Sequence, residues 1–221
     1  MNQEKTKKIA VSAMLVAVAF LVTFLTSMFK VGGFLSLDLK DAVLSVIALL
    51  YGPVYGIISV FVVALIEFLT ISTTGVYGLV MNILSSGTFA LVCGLVYKHK
   101  RSFSGAIIAS ALTVVCVTAV MLLANLFITP LYFKMPTQAV IDMLPTVLLP
   151  FNLFKSVMNA SIMLLVYKPF ITALRKIGVV KTSDKSGYKF DKKSILLTFS
   201  AVILIIVAVI VMFMLGVEIK N

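Results

Sequence analysis

The segment "LLPFNLFKSVMNA" puts Asn152, Lys155 and Asn159 into a run that is otherwise apolar. On a helix advancing ~100° per residue, these three side chains fall within an arc of ~60°, and Ser156 extends the same face. An amide offers a donor and an acceptor together, and an ammonium offers up to three donors. Lysine at the centre of a membrane helix is unfavourable by about 2.5–3.5 kcal/mol on insertion scales. Snorkelling relieves part of this but does not explain two amides on the same face. Two compatible readings follow. In one, the stripe joins helices, with Lys155 paired to a carboxylate such as Glu67. In the other, it lines a pocket for a polar or amphipathic solute.

Further polar groups fall in the same half of neighbouring apolar runs. Asn125 lies in "LLANLFITPLY", Glu67 in "LIEFLTISTTG" and Asn82 in "GLVMNILSSG". Glu67, Asn82 and Asn159 are expected in supporting positions around the pocket. The loop "KVGGFLSLDLKD" combines Gly32 and Gly33 with Phe34, Leu35, Leu37, Asp38 and Asp41. An apolar loop with glycine hinges on a membrane protein resembles a lid more than a solvated connector.

The elements that must carry these residues are membrane helices. Of 221 residues, 61% are hydrophobic, and the mean hydropathy is +1.15, more apolar surface than a water-soluble domain of this size can cover. The run Ile9–Phe29 is too long for the apolar region of a signal peptide and long enough to span a bilayer. Further apolar stretches are expected near 42–51, 54–70, 76–97, 104–128, 146–167 and 194–216. The first of these is short for a full crossing, and Gly52-Pro53 and Gly56 mark a turn after it. With the N-terminus inside, fourteen of the 19 basic residues fall in inner segments, four fall in outer ones, and Lys155 lies within a span. This asymmetry satisfies the positive-inside rule. The expected architecture is an all-α polytopic membrane protein, divided into a six-helix body at 1–177, a basic cytoplasmic linker at 178–193 and an appended transmembrane helix with a short outer tail at 194–221.

Other functions are poorly supported. The net charge of +11 is clustered between apolar runs and not spread along a face with aromatics, so nucleic acid is not the expected partner. Cys93 and Cys116 lie inside apolar spans, which disfavours a disulfide framework or a thiolate metal site. His99, the only histidine, stands in "KHKR" without a second ligand nearby. The sequence contains no P-loop, H-E-x-x-H or G-x-S-x-G motif, and an enzyme is the weaker class. A self-sufficient secondary carrier and a structural membrane-assembly protein remain as alternatives to a solute-capturing subunit.

Several segments, in order from about Ala10 to Ile177, resemble the riboflavin-specific substrate-binding (S) component of energy-coupling factor (ECF) transporters. These are "FLSLDLKD", "LYGPVYGIISVFVVALIEFLTIST", "GLVMNILSSG", "AVMLLANLFITPLY" and "LLPFNLFKSVMNA". The resemblance implies a six-helix subunit of the bacterial plasma membrane, with a cytoplasmic N-terminus, that binds riboflavin, or a related flavin such as FMN, from outside. It implies no resident cofactor. Its partners would be a transmembrane coupling protein with two ATPase subunits. Carried over residue by residue, the flavin contacts would be Asn125, Asn152 and Lys155, with Phe34, Leu35 and Leu37 on the closing loop. Ala13 and Ala17 match the small-residue motif for docking the coupling protein, a spacing that allows close helix approach. The seventh apolar run departs from the six-helix pattern.

Overall fold

A computed structural model describes residues 3–27, 29–31, 35–176 and 217–219. The first helix, α1 (Gln3–Thr26), contains neither glycine nor proline and buries only Ser12, Leu15, Ala19 and Thr23. That narrow stripe faces the bundle, while Met14, Leu21, Phe24 and Leu25 are exposed around it. An apolar outer surface over a thin buried stripe suits lipid, where backbone groups must be satisfied within each helix.

The helix α2 (Lys40–Tyr51) is the short element expected near 42–51. Its twelve residues span ~18 Å, too little to cross a bilayer, and nine of them are buried. It packs against α1 and against α3 (Pro53–Thr70), α4 (Gly75–His99) and α7 (Leu149–Lys176), so it forms the centre of the bundle. Gly52 turns the chain at φ 97°, and Pro53 opens α3 at a position where its missing N–H costs nothing. Gly56 then lets α3 close on α2, because a Cβ there would stand 2.7 Å from that of Ala48.

A short connection links α4 to α5 (Phe103–Phe133), with the Ser102 hydroxyl accepting from Gly105 N at 3.1 Å. The span expected near 146–167 begins earlier and is interrupted. It comprises α6 (Thr137–Met143), a π-helical turn at Leu144–Leu148, and α7. Pro145 lies within that turn and Pro150 just after it; each lacks an N–H and crowds the preceding turn, which a wider π turn relieves.

Five helical segments among the described residues are long and apolar enough to cross a membrane. The cavity-lining residues fall at the ends of α1, α3 and α5 and the beginnings of α4 and α7. The basic residues Lys5, Lys7 and Lys8, then Lys98, Lys100 and Arg101, then Arg175 and Lys176, fall at the opposite ends of these helices.

The segment expected as a lid-like loop contains two strands, β1 (Phe29–Val31) and β2 (Leu35–Ser36). They are antiparallel, with Lys30 opposite Ser36 and Val31 opposite Leu35. A third strand, β3 (Val217–Ile219), pairs with the other edge of β1, with Phe29 opposite Ile219 and Val31 opposite Val217. The chain therefore returns to the cavity end, although α7 finishes at the other. The 178–193 linker and the apolar run of the seventh expected helix lie outside the described residues.

Candidate functional site

The polar stripe on α7 is aimed inward, as its periodicity requires. Asn152 is 3% exposed and Lys155 9%, and both line a cavity of about 190 Å³ together with Asn125 of α5. Its wall mixes these groups with the apolar and aromatic side chains of Leu35, Tyr77, Met81, Met121 and Phe151. Asn152 Nδ2 donates to the Leu148 carbonyl at 2.8 Å. Asn125 Nδ2 donates to the Met121 carbonyl at 2.7 Å, and its Oδ1 accepts from the Thr129 hydroxyl at 2.8 Å. Each amide is thus held by its own helix, which fixes its rotamer before any solute arrives.

A chain of buried charges crosses the base of the cavity. Lys155 Nζ donates to Asp38 Oδ2 at 2.9 Å. The same Asp38 oxygen lies 3.7 Å from Lys40 Nζ. Lys40 in turn donates to Glu67 Oε2 at 2.8 Å, and Asn82 Nδ2 donates to that oxygen at 2.9 Å. Beside this chain, Ser86 and Ser85 donate to the Asp41 carboxylate at 2.5 and 3.4 Å. The network joins the segment after β2 to α2, α3, α4 and α7. Burial by itself raises the pKa of Asp38, but Lys155 and Lys40 outweigh it and hold the carboxyl below its ordinary range.

Lys155 accordingly does not pair with Glu67, as the helix-joining reading expected. Glu67 is taken by Lys40, one of the four basic residues counted in outer segments, which lies at the start of α2 and is almost fully buried. Asp38, one of the two acids noted in that loop, takes Lys155. The clue in the sequence was the charged run "DLKD" in an otherwise apolar segment. Nothing in its spacing indicates which partners it meets.

Asn159 does not line the cavity. It is fully buried, donates to the Asp38 carbonyl at 3.0 Å and accepts from Ala42 N at 2.9 Å. Ala42 lies in the first turn of α2, whose amides have no intrahelical acceptor, and Leu39 before it has no capping side chain. An asparagine of α7 therefore caps α2 from across the bundle. Glu67 and Asn82 both reach the cavity wall. Leu35 and Leu37 both join the buried cluster of Val140, Leu148, Phe151 and Met158; Leu35 also lines the cavity, and Leu37 does not. Phe34 lies outside the described residues. Ala13 and Ala17 are exposed on α1.

The model of a family described as ECF transporter, substrate-specific component, matches residues 7–167. The riboflavin transporter RibU of Staphylococcus aureus (strain TCH60) is 28% identical over 184 residues, which is 80% of this chain and 97% of that protein. The riboflavin transporter FmnP of Bacillus subtilis (strain 168) is 26% identical over 188 residues, covering 79% and 99%. The solved structure of the S component of a bacterial ECF transporter superimposes with a TM-score of 0.66 at 26% identity, over 77% of this chain and 99% of the other.

Proposed function

We propose that this chain, which belongs to the substrate-specific components of ECF transporters, captures riboflavin on the outer face of the membrane for import. What carries the reading is the convergence of Asn125, Asn152 and Lys155 on one cavity, in a chain similar along most of its length to two riboflavin transporters. The chemistry suits the ligand. Riboflavin has a planar, largely apolar ring system with hydrogen-bonding groups along one edge, and a hydroxylated tail. Aromatic and methionine walls accept the ring, while amides and an ammonium offer donors and acceptors to its edge and tail. Riboflavin is transported cargo in this reading, not a resident cofactor.

The orientation follows from charge. The helix ends rich in lysine and arginine belong in the cytoplasm, which puts the N-terminus inside and the cavity outside. The β1–β2 segment, which contributes Leu35 and Ser36 to the cavity wall, then closes over the ligand. Transport is driven by ATP hydrolysed elsewhere, by two ATPase subunits acting through a transmembrane coupling protein. The exposed Ala13 and Ala17 of α1 offer that protein a surface of small side chains for close helix packing.

Titration of the purified protein with riboflavin, followed by quenching of flavin fluorescence, tests the reading. Saturable quenching is expected, and Lys155→Met should weaken binding by about tenfold or more through loss of a charge-assisted hydrogen bond. A preparation that neither carries flavin nor quenches added riboflavin would sink the proposal. Uptake into vesicles holding this chain alone would replace it with a secondary carrier.

A further inference from the structure

Lys155 has a long, flexible stem and carries substantial rotamer entropy. To serve as a binding group in a buried site, its ammonium must be held in one place before the ligand arrives. Among the described residues, its hydrogen-bond partner is the Asp38 carboxylate, at 2.9 Å. One of its three N–H donors is thereby spent on Asp38, and two remain for the cavity that Lys155 lines.

Asp38 is itself held from several sides. Asn159 of α7 holds its carbonyl at 3.0 Å, and Lys40 of α2 stands 3.7 Å from its Oδ2. Its Oδ1 has no hydrogen-bond partner among the described residues although Asp38 is only 4% exposed and lines the cavity. It also lies two residues after β2, on the short stretch joining the hairpin to α2. Any shift of that stretch carries the carboxylate, and with it the ammonium.

We propose that Asp38 is a positioning residue for Lys155, fixing its ammonium for the ligand and coupling the β1–β2 segment to the binding group. The inference rests on the reading of Lys155 as a riboflavin contact. It assigns Asp38 a role that depends on Lys155 being present, and that dependence distinguishes positioning from general support of the fold.

A double-mutant cycle measures it. Riboflavin dissociation constants are determined by fluorescence quenching for wild type, Asp38→Asn, Lys155→Met and the double variant, with flavin-free thermal unfolding recorded in parallel. Asp38→Asn is expected to weaken binding about tenfold in the wild-type background, the scale of a misplaced charge-assisted hydrogen bond. In the Lys155→Met background it should change binding by less than about twofold, because the group it positions has gone. Equal weakening in both backgrounds, or no weakening in the first, overturns the proposal. Should Asp38→Asn fail to yield folded protein, Asp38→Glu carries the same cycle. It keeps the charge and the pair but displaces the ammonium, so binding should weaken with Lys155 present and stay level without it. Absence of riboflavin binding by the wild type is a different failure: that result strikes the functional reading itself.

Discussion

Asn159→Leu removes a buried polar group of similar size, and its cost can be worked from the geometry. Asn159 makes three hydrogen bonds. The one to the Lys155 carbonyl, at 3.1 Å, lies within a single helix turn and survives when helices separate in the bilayer, so it adds nothing to the difference. The other two, to Ala42 N and the Asp38 carbonyl, cross between elements and are lost. Interhelical hydrogen bonds in membrane proteins average ~0.6 kcal/mol in double-mutant cycles, because the separated helices also find partners. Leaving a buried group unsatisfied costs about 1–3 kcal/mol. Two bonds therefore bracket the loss between about 1 and 6 kcal/mol. Full burial excludes water as a replacement, which favours the middle of the range, about 2–4 kcal/mol. Reversible unfolding in mixed detergent micelles, monitored by helix content, gives the number directly. A loss below about 0.5 kcal/mol, the level of an ordinary surface substitution, would refute the capping of α2 by Asn159.

Other perturbations follow from the same network and its packing. Glu67→Gln should destabilise the bundle by about 3–5 kcal/mol, since it leaves the Lys40 charge buried with Asp38 only at longer range. Adding Lys40→Met should recover part of that loss in the same unfolding assay. Gly56→Ala should cost about 1–3 kcal/mol by forcing α3 away from Ala48; a neutral result in thermal unfolding would argue against the close approach. Ending the chain after residue 216 removes β3 from the edge of β1. Backbone amides of Phe29–Val31 should then exchange faster with deuterium, as read by mass spectrometry, and unchanged exchange would argue against the pairing.

Much of this protein is determined by local sequence. Apolar runs of spanning length identify membrane helices because the bilayer core sets a minimum length, and the spacing of Asn152, Lys155 and Asn159 places them on one face because helix geometry is local. The motifs around Asn125 and Asn152 point to the family before any coordinates are considered, and the family model matches. Which charges meet is another matter. Asp38 and Lys155 are 117 residues apart, and Glu67, the acid that the helix-joining reading named for Lys155, pairs with Lys40 instead. Leu35 and Leu37 are both expected to face a ligand; both join the core formed with α6 and α7, and of the two Leu35 alone also lines the cavity. Helix period, length and charge asymmetry belong to single segments and survive translation into sequence. Ion-pair choice, the capping of α2 from α7 and the shape of the cavity depend on how segments pack, and only the tertiary structure decides them.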